Sequence, residues 1–178
     1  MNPATVRRKP WVVAILTTVS LAIVAFWVWA LFFPPTKQSV AKVSDEAWAA
    51  RAEAVCRDAN VARDQLTDLR RVDESGADAL TERADLIDQA TDIVETMVAD
   101  VMAQPLSAVE DRQIAEKWQG MYTTLIADRR IYTDELRQGR NGAFAESAVD
   151  GMPISDFIND FTVANRMTSC SAPLDLAV

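Results

Sequence analysis

Residues 11–33 read WVVAILTTVSLAIVAFWVWALFF, a run of 23 positions without a charge. As a helix rising 1.5 Å per residue it reaches roughly 35 Å, enough to cross a hydrocarbon layer of about 30 Å. The run predicts one transmembrane helix with its lipid contact along residues 11–33. Arg7, Arg8 and Lys9 stand just before it, and basic residues favour the cytoplasmic flank of a span. The expected location is therefore the plasma membrane, single-pass, with the N-terminus in the cytoplasm and the chain beyond Pro34 outside. Trp11 at one end and Trp27 and Trp29 at the other suit the two interfacial belts, since indole is apolar with one polar N–H. Arg7, Arg8, Lys9, Trp11, Trp27 and Trp29 are the expected interface contacts. A cleaved signal peptide is the competing reading. Its apolar core usually spans about 7–15 residues with small residues at the cut, whereas Phe32, Phe33, Pro34 and Pro35 follow here. An uncut anchor is expected.

This divides the chain into a cytoplasmic stub at 1–10, the span at 11–33, a tether at 34–43 and an extracytoplasmic domain at 44–178. The stub is expected to be too short to fold or signal. Residues 1–33 hold three basic and no acidic side chains, which leaves residues 34–178 with 15 basic and 26 acidic ones, a net −11. Such a domain repels phosphates, so neither nucleic acid nor anionic lipid is an expected partner. Solubility alone accounts for the charge; a docking surface for a basic partner is the alternative. Arginine exceeds lysine and alanine is abundant, a composition typical of a GC-rich bacterial genome.

Beyond the tether, apolar residues recur at spacings of three and four, which predicts helices throughout. Trp48, Ala52, Val55, Ala59, Ala62, Leu66 and Leu69 give a first helix over 45–72, capped by Ser44. A turn at residues 73–76 (DESG) leads to a second stripe, Leu80, Ala84, Ile87, Thr91, Val94, Val98 and Val101, ended by Pro105. Ser107 and Glu110 fit a capping box opening a third helix to about Gln138, with Gly139 as its C-terminal cap. Residues 143–151 (AFAESAVDG) suggest a turn or two of helix. Ile154, Phe157, Ile158, Phe161 and Ala164 give a fourth helix to about Met167. The fold class expected is all-α: a transmembrane helix followed by an antiparallel bundle of about four helices.

Cys56 borders the first stripe and Cys170 follows the fourth helix. In an oxidising compartment the two are expected to form a disulfide. Closing so long a loop stabilises by about 4 to 5 kcal/mol in the chain-entropy model. Two cysteines with no histidine in the chain do not make a closed zinc site, and the spacing is not that of a redox Cys-x-x-Cys pair.

The absence of histidine also excludes Ser-His-Asp and Cys-His nucleophiles. Asp78, Asp85, Asp88, Asp92 and Glu95 recur at helical spacing and could offer oxygens to calcium or magnesium. No turn supplies the accompanying carbonyls, so a solvated face is expected, with no metal and no cofactor. Asp128, Arg129, Arg130, Asp134, Glu135, Arg137 and Arg140 suggest pairs within one helix, or a dock for an acidic group through Arg129 and Arg130. Trp118, Tyr122, Tyr132, Phe157 and Phe161 are expected in the core. In the span, Ala14, Thr18 and Ala22 form a small-residue row against which another helix could pack. These observations predict a non-enzymatic, membrane-anchored module that binds or supports an envelope protein as an accessory subunit. A ligand- or metal-binding module is the alternative, and a carboxylate enzyme the third reading.

Overall fold

A computed structural model describes residues 9–32, 41–66 and 77–176. Arg7, Arg8, most of the tether, Leu69 and the expected turn at 73–76 lie outside the described residues. The chain forms two compact units, Met1–Ser39 and Val40–Val178. The first contains α1, Pro10–Phe32, a 23-residue helix long and apolar enough to cross a membrane. Its proline opens the helix where a missing N–H leaves no bond unmade.

The second unit is mostly helical. It contains α2 (Glu46–Asp64), α3 (Ala77–Met102), α4 (Val109–Arg137) and the shorter α5 (Ile154–Ala164), followed by a single 3-10 turn, Thr168–Cys170. Arg130 meets Asp92 and Asp88 while Arg137 meets Asp88 and Asp85, so α3 and α4 run antiparallel. Helix α2 packs on α3, and α5 on α4. Besides Thr133, which is buried beside the seam, the α4 side chains turned inward are Asp111, Ala115, Trp118, Tyr122, Leu125, Arg129, Tyr132 and Leu136. Their spacing alternates strictly between four and three, a heptad seam with one charge at its start and another in its middle. The matching α3 seam includes Ala84, Ile87, Thr91, Val94, Val98 and Val101, all buried. Trp48, Trp118, Tyr122 and Met167 fill the larger part of the core, and Ala84, Ile87, Tyr132, Leu136 and Leu176 a smaller one. Trp118 stacks on Phe161 at 6.2 Å and meets Tyr122 edge-on at 5.0 Å. Phe157 is only half-buried.

Four local expectations are corrected. Helix α2 ends at Asp64 rather than near 72, passing into a turn at Gln65 and Leu66. Its cap is Asp45, whose carboxylate accepts the Trp48 N–H at 2.8 Å, because Ser44 is bonded elsewhere. The Ser107–Glu110 capping box does not form: Ala108 caps α4 without a side-chain bond, and Glu110 and Asp111 supply negative charge in the first turn. Residues 148–153 form a hairpin, β1 (Ala148–Val149) with β2 (Met152–Pro153), rather than helix. Asp150 and Gly151 both take positive φ, 52° and 80°, the backbone that a two-residue hairpin turn requires.

Helix α5 ends in a reversal that delivers Cys170. Asn165 is the cap, Arg166 adopts φ 57°, and the Met167 N–H donates to the Thr162 carbonyl at 2.8 Å. This is a Schellman turn built on arginine instead of glycine, with buried Met167 as its apolar contact. The chain then folds back against α2, where Cys56 and Cys170 are joined with their Cα atoms 5.1 Å apart. Both cysteines are 0% exposed. Reductant without denaturant is expected to leave the bond intact, read by maleimide labelling. The double variant Cys56→Ala, Cys170→Ala is expected to lose about 2–5 kcal/mol of stability in urea unfolding.

Candidate functional site

Residues 41–45, near the start of the second unit, are bound on two sides. The Val43 N–H donates to Asn165 Oδ1 at 2.7 Å, and Asn165 Nδ2 donates to the Ala41 carbonyl at 3.3 Å and the Phe161 carbonyl at 2.9 Å. The Ser44 N–H and hydroxyl donate to the two oxygens of Asp111 at 2.9 and 2.7 Å, and the Asp45 N–H adds a third bond at 3.2 Å. Three other carboxylates hold a serine in the same two-pronged way. Asp128 takes Ser147, Glu146 takes Ser155 and Glu53 takes Ser169, each through N–H and hydroxyl at 2.6–2.9 Å. The last lies beside the disulfide and fastens the same tail to α2. The backbone N–H of Ser44 holds the Asp111 carboxyl below its ordinary range against the opposing effect of burial, with the Ser44 hydroxyl and Asp45 N–H assisting.

Arg129, expected as a partner contact, is 1% exposed and lies in the core. Its Nε donates to Thr91 Oγ1 at 2.8 Å, and its two terminal nitrogens reach Asp175 at 2.7 and 3.0 Å. The Thr91 hydroxyl in turn donates a hydrogen bond to the Ile87 carbonyl at 2.6 Å. Arginine and threonine thus face each other across the α3–α4 seam as one polar layer, completed by an acid from the C-terminal tail. The sequence carried a signal for this: position 129 continues the three-and-four spacing of the α4 seam. Tyr122, on the same seam, donates its hydroxyl toward the Cys170 and Ser171 carbonyls at 2.9 and 3.0 Å. Burial pushes that phenol well above its ordinary range, against the pull of Arg63 and Arg129, and keeps it a donor.

Arg130 is half-buried and also engaged. It bonds Asp88 at 2.8 Å and Asp92, and reaches Glu95 at 3.5 Å. Arg137 bonds Asp85 at 2.7 Å and Asp88 at 2.6 Å. Burial works against ionising Asp88, yet hydrogen bonds from Arg130, Arg137 and Thr133 hold its carboxyl below the ordinary range. The expected pairs within one helix are therefore mostly pairs between helices, and the α3 carboxylates Asp85, Asp92 and Glu95 meet these arginines while their side chains stay 58–67% exposed on a solvated face. Among the described residues, no group of three or more Asp, Glu, His or Cys side chains is placed to hold a metal ion.

An open groove of about 470 Å³ runs between α2 and α3. Val55, Ala59, Ile93 and Met97 contribute its apolar lining, with Ala62 and Thr96 also along it. Asp58 stands on the α2 edge, and Asp92 and Asp100 on the α3 edge. Sequence reasoning placed Val55, Ala59 and Ala62 in the core stripe of their helix; Val55 and Ala59 are half-buried and Ala62 exposed.

In the other unit, Trp11, Trp27 and Trp29 are each about 60% exposed, and Lys9 is exposed just before the helix. Ala14, Thr18 and Ala22 share one face of α1, where the Thr18 hydroxyl donates to the Ala14 carbonyl at 3.0 Å and requires no outside partner. No protein-family model matches the chain, and no curated protein or solved structure is significantly similar to it.

Two outcomes follow from the buried charges. Asp175→Asn, which leaves the Arg129 guanidinium buried without its counter-ion, is expected to lower stability by about 2 kcal/mol in urea unfolding. This lies below the usual figure for a broken buried pair because Asp175 is 30% exposed. The Asp111 carboxyl titrates lower folded than unfolded, so its stabilisation is complete above the ordinary value of 3.8 and fades as pH falls through the folded value. Asp111→Asn is expected to cost about 2 kcal/mol at neutral pH. Its melting curve should converge on that of the unsubstituted protein in acid.

Proposed function

We propose that this chain is a membrane-anchored, extracytoplasmic, non-enzymatic helical bundle that binds or supports another envelope protein as an accessory subunit. The observation that carries the reading is the open α2–α3 groove, lined with apolar side chains, on a domain whose core is already filled by its own residues. A self-filled bundle needs no ligand to fold, and an apolar groove left in water is a natural place for a protein partner. Helix α1 would serve as the anchor. Trp11 and Trp27 lie 16 residues apart in it, roughly 24 Å along a helix, a separation compatible with two interfacial belts. The disulfide favours an oxidising compartment and hence placement of the domain outside the cytoplasm.

The charged side chains that sequence reasoning considered for chemistry or docking have structural employment. Arg129 lies in the core against Thr91 and Asp175, and Arg130 and Arg137 meet the carboxylates of α3. This supports a binding role over carboxylate chemistry or cation binding. The test is affinity capture of the full chain from its own membranes in mild detergent. A second envelope protein is expected in stoichiometric amount, and recovery of the chain alone would overturn the reading.

A further inference from the structure

We infer that the α2–α3 groove receives a basic amphipathic helix of the partner protein. The inference rests on the partner-binding reading above and identifies the chemistry of what is bound.

The groove sets both length and polarity. Its lining runs from Val55 to Ala62 on α2 and from Asp92 to Asp100 on α3, roughly 10 to 12 Å on each side at 1.5 Å per residue. That is about two helical turns, enough to seat apolar side chains at i, i+3 or i+4, and i+7. Ala59 and Ala62 on the α2 side project little, so a third helix can lie close, with its axis about 8–10 Å away.

The edges are acidic on both sides. Asp92 is already held by Arg130, but Asp58 and Asp100 are exposed and carry no side-chain ion pair or hydrogen bond among the described residues. A helix with lysine or arginine flanking its apolar stripe would neutralise both. The net −11 of residues 34–178 would also draw a cationic segment in from a distance. The same charge disfavours a second copy of this chain, whose domain presents the same sign. It disfavours an anionic lipid surface for the same reason.

The test places a photoreactive phenylalanine analogue at Ala62 or Thr96 inside the groove, and at Ile131 or Asp134 on α4, in the full chain within its own membranes. Crosslinked peptides are then identified by mass spectrometry. The expected result is an adduct from the groove positions to an amphipathic segment rich in lysine and arginine. The yield should fall by about tenfold in the Asp58→Lys, Asp100→Lys variant, with an unchanged melting temperature showing that the fold persists. Adducts to the partner from α4 alone, or a groove yield indifferent to the two charge reversals, would overturn the groove assignment while leaving the partner-binding reading intact. An acidic segment or a second copy of this chain in the groove adducts would likewise overturn it. Absence of adducts from every position, together with capture of the chain alone, would overturn both.

Discussion

The bond between Cys56 and Cys170 determines where the end of the chain lies, and much of the domain is arranged around that end. Once Cys170 is fixed against α2, Ser169 meets Glu53, Tyr122 reaches the carbonyls of residues 170 and 171, and Asp175 lies over Arg129. A segment with only one 3-10 turn of regular structure thus touches α2, α4 and α5. It lacks a helical hydrogen-bond ladder of its own, so its polar groups must find partners on the helices. Glu53, Tyr122 and Asn159 supply them.

Two buried charges interrupt an otherwise apolar α4 seam, and each marks a junction. Asp111 receives Ser44 and Asp45 ahead of α2, and Arg129 receives the C-terminal tail. A buried charge is tolerated only when its partners are well placed, so each of these residues penalises any register that separates it from its mates. Shifting α4 along α3 would detach Arg129 from Thr91 and leave both polar groups in an apolar layer. The carboxylate–serine pairs act alike at the surface and bind connections that few apolar contacts would hold.

The same division of labour explains what is left for binding. Arg130 and Arg137 of α4 are engaged by carboxylates across the α3 interface, and the buried acid Asp111 is held by Ser44 and the Asp45 backbone N–H. Exposed charge with no structural role lies elsewhere, including the edges of the α2–α3 groove, beside side chains too small or too shallowly placed to complete the core. The domain therefore offers an apolar, acid-edged strip while its interior remains closed.

The sequence by itself determined that α1 is long and apolar enough to cross a membrane, that the rest is mostly helical, and that Cys56 and Cys170 are the pair available for a disulfide. These follow from local regularities: an unbroken apolar run, recurring three-and-four spacing, and a count of two. It also carried finer signals whose meaning rests on the neighbouring elements. Arg129 continues the α4 seam, and Asp150-Gly151 is a hairpin turn rather than the end of a helix. Only the tertiary structure decided which charges are buried and which serine meets which carboxylate, because those partners lie up to 116 positions apart in the chain. It likewise decided that Val55, Ala59 and Ala62 border an open groove. A stripe of apolar residues records that a helix has a face to cover, but whether a neighbour covers it depends on where the other helices are placed.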